Sequence, residues 1–429
     1  MRWQSPVACG LIAAGLLGPA RAEDVESPLV AQSAGEALRD GRLLLGLRPR
    51  FTWVDQDGRA QNAHWGSLRT TLGWQTLTVY GLRVTAEAID VRHIDPQGAI
   101  DYTETPAYAG SIPGGPLYGP YTPGYYPLVV DPNTTDANRL FVDYTALPET
   151  LVRFGRQLVS IDNQRFIGAY DDAQLPQAFN GLFMQSTALR GTQLTAGYFA
   201  RVRNSYAIQR QAHITVLNAR FEPEPRLKLA GFGYLQNQAQ TESVTGFSDN
   251  SNRIVGGRVW GAWRVRDETE LVYSGELAQQ RSYAGGDPLI RADYRRLGAG
   301  LTASSWYVRV DWERLGSNSG QYGFQTPLGS TQLFTGRTDV FATTPRIGLR
   351  DWRGTIGYSV SKAGLSIAFH RFRSDWSDTD LGHEVDVGVS WRFMPGLSAT
   401  LEYADYRAGD ATAGIPDTRK IWATLSYAY

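Results

Sequence analysis

The end of the chain constrains the fold more than any other stretch. Residues Thr418–Tyr429 alternate strictly between two sets of side chains. One set is Ile421, Ala423, Leu425, Tyr427 and Tyr429, and the other is Lys420, Trp422, Thr424, Ser426 and Ala428. A period of two indicates a β-strand whose two faces meet different surroundings. Because an uncovered strand with one apolar face pairs readily with other chains, we predict that it pairs with an N-terminal strand and closes a barrel.

The composition agrees with a barrel whose outer face meets lipid. Hydrophobic residues make up 42% of the chain and the mean hydropathy is −0.31, values that resemble those of a soluble protein. No apolar run long enough for a transmembrane helix follows residue 22. Half of each barrel strand faces a polar lumen, so transmembrane barrels have this profile. We therefore predict an all-β fold, a transmembrane antiparallel up-and-down β-barrel.

The N-terminus is typical of a secretory signal peptide. Arg2 precedes the apolar run Val7–Leu17, and Ala20-Arg21-Ala22 offers small residues for cleavage. We predict a signal peptide at 1–22, a polar periplasmic lead-in at 23–40 and the barrel at 41–429. Cys9 is the single cysteine of the chain, so the predicted mature protein has neither disulfides nor a catalytic thiol.

Charged residues indicate which face of each strand points inward. An arginine on the lipid face near the midplane costs about 2–4 kcal/mol, so the charged set belongs in the lumen. The side chains predicted to line the pore are Arg48, Arg69, Arg83, Arg153, Arg201, Arg258, Arg309, Arg353, Glu384 and Asp386. Lys228, Lys362 and Lys420 are the only lysines, so nearly all the cations are arginines. Arginine is well suited to holding carboxylates and other anions in fixed geometry.

Connections between the predicted strands alternate between short and long. Met394–Gly396 is one of the short ones, and Arg92–Ala137 is the longest. Short periplasmic turns and long external loops are the pattern of an outer-membrane barrel. We count about eighteen strands with both termini periplasmic. Sixteen is the alternative, because Gln177–Ser186 and Leu227–Gln236 have ambiguous facing.

A polar stretch after one of these strands predicts a loop inside the pore. Arg153–Gly168 ends a strand and then continues through Asp162, Asn163, Gln164 and Arg165. Such a density of hydrogen-bonding groups suits a wet lumen, where the loop would form a constriction. The alternative is a loop that merely packs on the barrel wall.

The sequence offers little for catalysis or metal binding. None of the five histidines has metal-ligand spacing, and neither HExxH nor GxSxG occurs. We predict no catalytic residues, no metal and no cofactor. The formal net charge is zero, which argues against a nucleic-acid partner.

Several motifs resemble those of the alginate-export-type outer-membrane porins. The similarity runs from about Gly41 to the C-terminus. The matching stretches are Gly155–Gln157 with Asp162–Gly168, Leu47–Gly58, Leu68–Gly73, Gly323–Leu328, Gly348–Trp352 and Tyr403–Tyr406. The resemblance implies a monomeric barrel of about eighteen strands that passes solutes across the Gram-negative outer membrane. The named member of that family exports an anionic polysaccharide through an arginine-lined pore. This chain differs in its Ala169–Gln174 run, AYDDAQ, and in the acidic residues among its inward set.

We expect a channel for passive, partly selective passage of small or oligomeric, anionic solutes. Export of a polyanion and uptake of small carboxylates both remain open. Two functions of other classes also remain: a barrel that serves as a structural anchor or adhesin, and an outer-membrane lipid-modifying enzyme. The expected partners are outer-membrane lipid and lipopolysaccharide, and the barrel-assembly machinery acting on the C-terminal strand.

Selectivity for anions should be modest. Inward carboxylates such as Glu384 and Asp386 offset part of the arginine charge. Arg165 should contribute most, because a charge in the narrowest section is screened by fewer waters and the low-dielectric walls focus its field.

The alternation of short and long connections makes a prediction about topology. An epitope inserted near Gly114 should be labelled on intact cells, because the connection 92–137 is long enough to be external. Surface labelling before and after lysis measures this. Labelling that requires lysis would reverse the assignment of the two barrel ends.

Overall fold

The computed structural model describes residues 30–95, 126–237 and 249–429. The predicted signal peptide 1–22, the first part of the lead-in and the insertion point near Gly114 lie outside these ranges.

The described chain is built almost entirely of strands. One short helix, α1 (Ala34–Arg39), precedes them. The strands are β1 (Arg42–Gln56), β2 (Ala63–Gln75), β3 (Leu82–Asp95), β4 (Thr134–Tyr144), β5 (Thr150–Gln157), β6 (Ala178–Ser186), β7 (Thr192–Arg203), β8 (Gln209–Glu224), β9 (Leu227–Asn237), β10 (Asn252–Arg266), β11 (Thr269–Ser282), β12 (Arg291–Ala303), β13 (Trp306–Leu315), β14 (Leu349–Val360), β15 (Ala363–Arg373), β16 (Asp380–Met394), β17 (Leu397–Arg407) and β18 (Thr418–Ala428). Two 3-10 turns occupy Thr331–Leu333 and Ala411–Ala413.

The strands form one closed antiparallel barrel. Each strand pairs with its neighbours in sequence, and β18 pairs with β1 from Gln56 opposite Thr418 to Gly46 opposite Ala428. Closure by the C-terminal strand is therefore confirmed, and so is the count of eighteen; the alternative of sixteen is wrong. The β1–β18 ladder skips Arg48 and Pro49, since proline has no N–H to donate.

The two ends of the barrel differ in the length of their connections. At one end, five turns are only two residues long: 225–226, 267–268, 304–305, 361–362 and 395–396. Glu268, Ser304, Ser361 and Gly396 in these turns have positive φ angles, the conformation that matches the twist of paired strands in tight hairpins. The longest connections, including 158–177 and 316–348, all lie at the opposite end. We call the first end the short-turn end.

The distribution of polar and apolar side chains is inverted relative to a soluble protein. Leu72, Phe154 and Leu277 are 57%, 67% and 61% exposed on the outer face. Asp143 and Glu384 point inward and are fully buried. Such an arrangement suits a barrel whose outside meets hydrocarbon. Among the described residues, no helix has the length and apolar character needed to cross a membrane.

Two long connections fold into the barrel and pack there. We call residues 158–177 inner loop 1 and residues 316–348 inner loop 2. Phe166 of inner loop 1 and Phe324 of inner loop 2 lie 6.0 Å apart between ring centroids, and Phe166 contacts Phe232 and Tyr294 of the inner wall at 5.2 Å. The main apolar cluster therefore lies inside the barrel and includes wall residues from β6 to β17.

The helix α1 is attached to the short-turn end. Ser33 caps it by accepting a hydrogen bond from the Glu36 amide. The Trp74 indole donates to the Leu38 carbonyl, and the Leu77 amide donates to the Ala37 carbonyl, each at 2.9 Å. The lead-in is thus pinned to the β2–β3 turn.

Closure by β18 predicts how substitutions there affect assembly. Leu425→Arg places a charge on the exposed outer face at a cost of about 2–4 kcal/mol, so the folded, heat-modifiable form should decrease. Deletion of Tyr429 should also lower it, because the Tyr429 amide donates to the Leu45 carbonyl across the seam at 2.9 Å. Ser426→Arg is the matched control, since its side chain is in the opposite set. Equal folding of all three variants would contradict the sealing role.

Candidate functional site in the barrel lumen

Inner loop 1 crosses the lumen, and the four residues predicted to form a constriction lie inside the barrel. Asn218 of β8 donates to the Asp162 carboxylate at 2.6 Å. Asn163 donates to Glu276 of β11 at 2.9 Å. Gln164 accepts from the Ser330 hydroxyl of inner loop 2 at 3.2 Å. These contacts fix the loop both to the wall and to inner loop 2.

Arg165 does not present its charge to a solute, in contrast to the expectation from sequence. Its side chain is only 1% exposed and donates two hydrogen bonds to Glu313 of β13, at 2.9 and 3.1 Å. The Tyr294 hydroxyl donates to the same carboxylate at 2.7 Å, and the Phe334 ring lies 4.8 Å from the guanidinium carbon. Arg165 therefore fixes inner loop 1 to the wall, and the carboxylate of Glu313 balances its charge.

The far end of inner loop 1 is held by arginines of β1 and β2. Arg48 donates to the carbonyls of Asp171 and Asp172 at 2.7 and 3.0 Å. Arg50 donates to the Asp172 carbonyl, and Arg69 donates to the Ala173 carbonyl at 3.3 Å. All three arginines thus point into the lumen and contact the backbone of the loop.

Inner loop 2 is held by the other side of the wall. The Glu384 carboxylate accepts from the amides of Arg337 and Thr338, at 2.6 and 2.9 Å, and from the Thr338 hydroxyl at 2.6 Å. Arg353 donates to the Leu333 carbonyl at 2.7 Å. The Glu384 side chain points inward and is fully buried beneath the loop, whereas the sequence pattern predicted that it would line the open pore.

Two carboxylates on the inner wall are each shared by several arginines. Asp311 accepts from Arg296 at 2.9 Å, from Arg309 at 2.8 Å and from Arg353 at 3.1 Å. We call these four residues the Asp311 cluster. Asp143 accepts from Arg83 at 2.8 Å and from Arg153 at 2.6 Å. In the Asp311 cluster three guanidinium groups face one carboxylate, so this cluster carries excess positive charge.

Arg201 is the exception among the predicted pore-lining arginines, and its inward assignment is wrong. On β6, Gly181 pairs with Phe199 and Asn180 pairs with Arg201, so Ala200 is an extra residue on β7. The bulge reverses the alternation. Phe199 is fully buried inside, whereas Arg201 lies on the outer face and is exposed.

The remaining predicted residues are inward but differ in their contacts. The Arg258 guanidinium lies 4.6 Å from the Trp260 ring centroid. The Asp386 carboxylate lies 3.6 Å from His370 Nε2, and His370 Nδ1 lies 2.8 Å from Asp351. In the described part of the chain no group of three or more histidine, cysteine, aspartate or glutamate side chains could hold a metal ion.

Arg296 and Arg337 are among the residues of the site that were not predicted. Arg296 belongs to the Asp311 cluster. Its position in the alternating stretch Tyr294-Arg295-Arg296 would have allowed an inward facing to be predicted. Arg337 of inner loop 2 donates to Glu402. Nothing in its Gly-Arg-Thr context reveals that contact, because the loop has no periodicity.

Burial changes the acidity of the carboxylates on inner loop 1. Burial raises the pKa of Asp162, and the hydrogen bond from Asn218 opposes this effect. Burial also raises the pKa of Asp171, and the neighbouring Asp172 carboxylate raises it further. Both residues thus hold a proton more readily when the loop is docked than when it is free in water.

The comparisons with known proteins agree with this geometry. The family model described as "Alginate export" matches residues 55–378, more than half of the chain. The chain belongs to the alginate export family. No curated protein sequence matches it.

Solved structures of outer-membrane porins share the fold of this family member. OpdL of Pseudomonas aeruginosa superimposes with a TM-score of 0.65 at 14% identity, covering 91% of this chain and 99% of that one. OccAB1 of Acinetobacter baumannii gives a TM-score of 0.66 at 13% identity, covering 93% and 98%. OpdQ of Pseudomonas aeruginosa gives 0.66 at 12% identity, covering 92% and 99%.

Family and fold together give the location and the general activity. This alginate export family member is a channel of the Gram-negative outer membrane. Its apolar outer face contacts membrane lipid.

The Arg165–Glu313 pair makes a prediction about inner loop 1. Glu313→Ala leaves the Arg165 charge buried without its partner, which costs about 3–5 kcal/mol. We expect faster hydrogen exchange at the amides of Gln164 and Gly168, which are bonded to Ile161 and Leu328. The double variant Arg165→Met/Glu313→Leu removes both charges and should restore most of the protection. Unchanged exchange in Glu313→Ala would show that other contacts hold the loop.

Proposed function

We propose that the channel prefers small solutes that carry carboxylates. The observation that carries this proposal is the excess of guanidinium over carboxylate in the Asp311 cluster on the inner wall. A channel wall of one charge sign within a low-dielectric shell concentrates ions of the opposite sign. Arginine also binds carboxylates through two parallel hydrogen bonds, which gives geometric selectivity.

The two inner loops support small solutes over a long polymer. Inner loop 1 contacts β1, β2, β8, β11 and β13, and inner loop 2 contacts β14, β16 and β18 through hydrogen bonds. Loops that are bonded to so many strands narrow the lumen at their level. A monomeric or short oligomeric carboxylate fits what remains better than a wide chain. The name of the family points to alginate, a polymer of carboxylate sugars, and the proposed solutes also carry carboxylates.

Several further features belong to this proposal. We infer that the barrel acts as a channel rather than as an enzyme, an anchor or an adhesin, because its buried charges are engaged in holding loops and in lining the wall. Residues 1–22 act as a signal peptide, and 23–40 lie in the periplasm. The channel works as a monomer, contacts lipopolysaccharide and is assembled by recognition of its C-terminal strand.

A reversal-potential measurement tests the anion preference. In planar bilayers with a potassium chloride gradient, the wild type should favour chloride. Arg309→Ala should lower the chloride-to-potassium permeability ratio by roughly fivefold, equivalent to about 1 kcal/mol, the interaction of two charges about 4 Å apart in water. Arg309 is suitable because it lines the wall without contacting either inner loop through a hydrogen bond in the described structure.

Arg201→Ala is the matched control for this measurement. It removes the same charge from the outer face, so the permeability ratio should stay at the wild-type value. Cation preference in the wild type, or an equal shift for Arg201→Ala and Arg309→Ala, would contradict a role for the inner arginines in selection.

A further inference from the structure

Three arginines on neighbouring strands lie together without carboxylate partners. Arg48 of β1 pairs directly with Arg69 of β2, and Arg50 follows on the same face of β1. We call them the β1–β2 arginines. Among the described residues, no carboxylate oxygen lies within 4.0 Å of a guanidinium nitrogen of these three arginines, the distance that defines an ion pair. They differ in this from the arginines around Asp143 and Asp311.

Peptide carbonyls of inner loop 1 take the place of those carboxylates. The carbonyls of Asp171, Asp172 and Ala173 accept hydrogen bonds from the three guanidinium groups. Arg48 is 4% exposed, and its Nε is buried without a hydrogen-bond partner in the described structure. A neutral carbonyl is a weaker partner for guanidinium than an anionic oxygen. The site therefore retains unused capacity for an oxyanion.

The segment that occupies the site resembles the solute we propose. Residues 170–174, which we call the tip, carry Asp171 and Asp172 beside the three carbonyls. The tip thus brings two carboxylates and a row of oxygens to the β1–β2 arginines. If the tip leaves, those two carboxylates leave with it, whereas Asp131 and Glu87, the other acids near the arginines, stay on the wall side.

The tip is joined to the rest of the loop by a closed neck. The Gln177 amide donates to the Ala169 carbonyl at 2.6 Å, and the Gln177 side chain donates to the Gly168 carbonyl at 2.9 Å. Beyond the arginines, Gln174 holds the tip to the wall by donating to Ser67 Oγ at 2.9 Å and to the Arg48 carbonyl at 3.1 Å. These neck contacts and the Arg165–Glu313 pair do not involve residues 170–174, so a displacement of the tip would leave them intact.

We propose that the β1–β2 arginines form an oxyanion site that the tip occupies as an internal competitor, and that a permeating carboxylate displaces the tip and opens the passage. This inference rests on the proposed function, because it assigns one carboxylate site within the same pore. Solute binding and opening are coupled, since the same guanidinium groups hold either the tip or the solute.

Gln174→Ala tests this coupling without changing any charge. It removes two hydrogen bonds from the tip, so the ratio of open to closed time in planar bilayers should rise by roughly tenfold. Sodium galacturonate, added at constant ionic strength, should raise the open time of the wild type and add little to that of Gln174→Ala. Galactose, which has no carboxylate, should leave both proteins unchanged.

Gln177→Ala is the matched control, a glutamine of the same loop that binds the neck and not the arginines. It should keep the wild-type response to galacturonate. Heat-modifiable migration confirms that each variant folds, and Asp172→Asn, which weakens the charge of the tip, replaces Gln174→Ala if that variant does not fold.

Two outcomes would overturn the inference. One is wild-type gating in Gln174→Ala, and the other is a galacturonate response in the wild type that consists only of blocked current. If the reversal potential still shows chloride preference in either case, the inference that the tip is an internal competitor is wrong, whereas the proposed function stands. Loss of chloride preference in the wild type would instead remove the proposed function itself.

Discussion

The exclusion of charge from hydrocarbon is the constraint on which this structure depends. Near the middle of the membrane each strand must place its charged residues on one face, and a closed ring is the arrangement that gives every charged face the same polar interior. The exposed Leu72 and Phe154 and the buried Asp143 are two sides of that separation. Because the charged side chains are collected inside the barrel, each needs an ion-pair or hydrogen-bond partner there. These pairings determine the structure of the lumen.

The lumen satisfies its charges in three ways. Arginines share carboxylates, as around Asp311; arginines bind loop carbonyls, as Arg48 does; and carboxylates bind loop amides, as Glu384 does. The second and third ways hold the inner loops in place, so the charged wall and the folded loops stabilise each other. An inner loop is therefore a partner of the wall and not an obstacle added to it.

Sequence patterns predicted the barrel because the lipid constraint acts on every strand separately. The period of two, the final strand and the facing of Arg48 and Arg309 all follow from local alternation. The inward prediction for Arg201 was wrong because one extra residue in β7, Ala200, reverses the two faces of the strand while the sequence still alternates regularly. The prediction that Arg165 forms the charged constriction was wrong for a different reason. Its partner Glu313 lies 148 residues away, and no local sequence pattern indicates which buried charges form ion pairs.

Asp311 has a consequence for how such a channel diversifies. Three guanidinium groups depend on this one carboxylate, so replacing Asp311 by a neutral residue changes the net charge by one unit but removes an ion-pair partner from all three arginines at once. Replacing any one of the arginines also changes the net charge by one unit, yet it leaves the other two paired with Asp311. Variation at acidic hubs would therefore rearrange several wall side chains together, whereas variation among the arginines would change the charge and disturb fewer contacts.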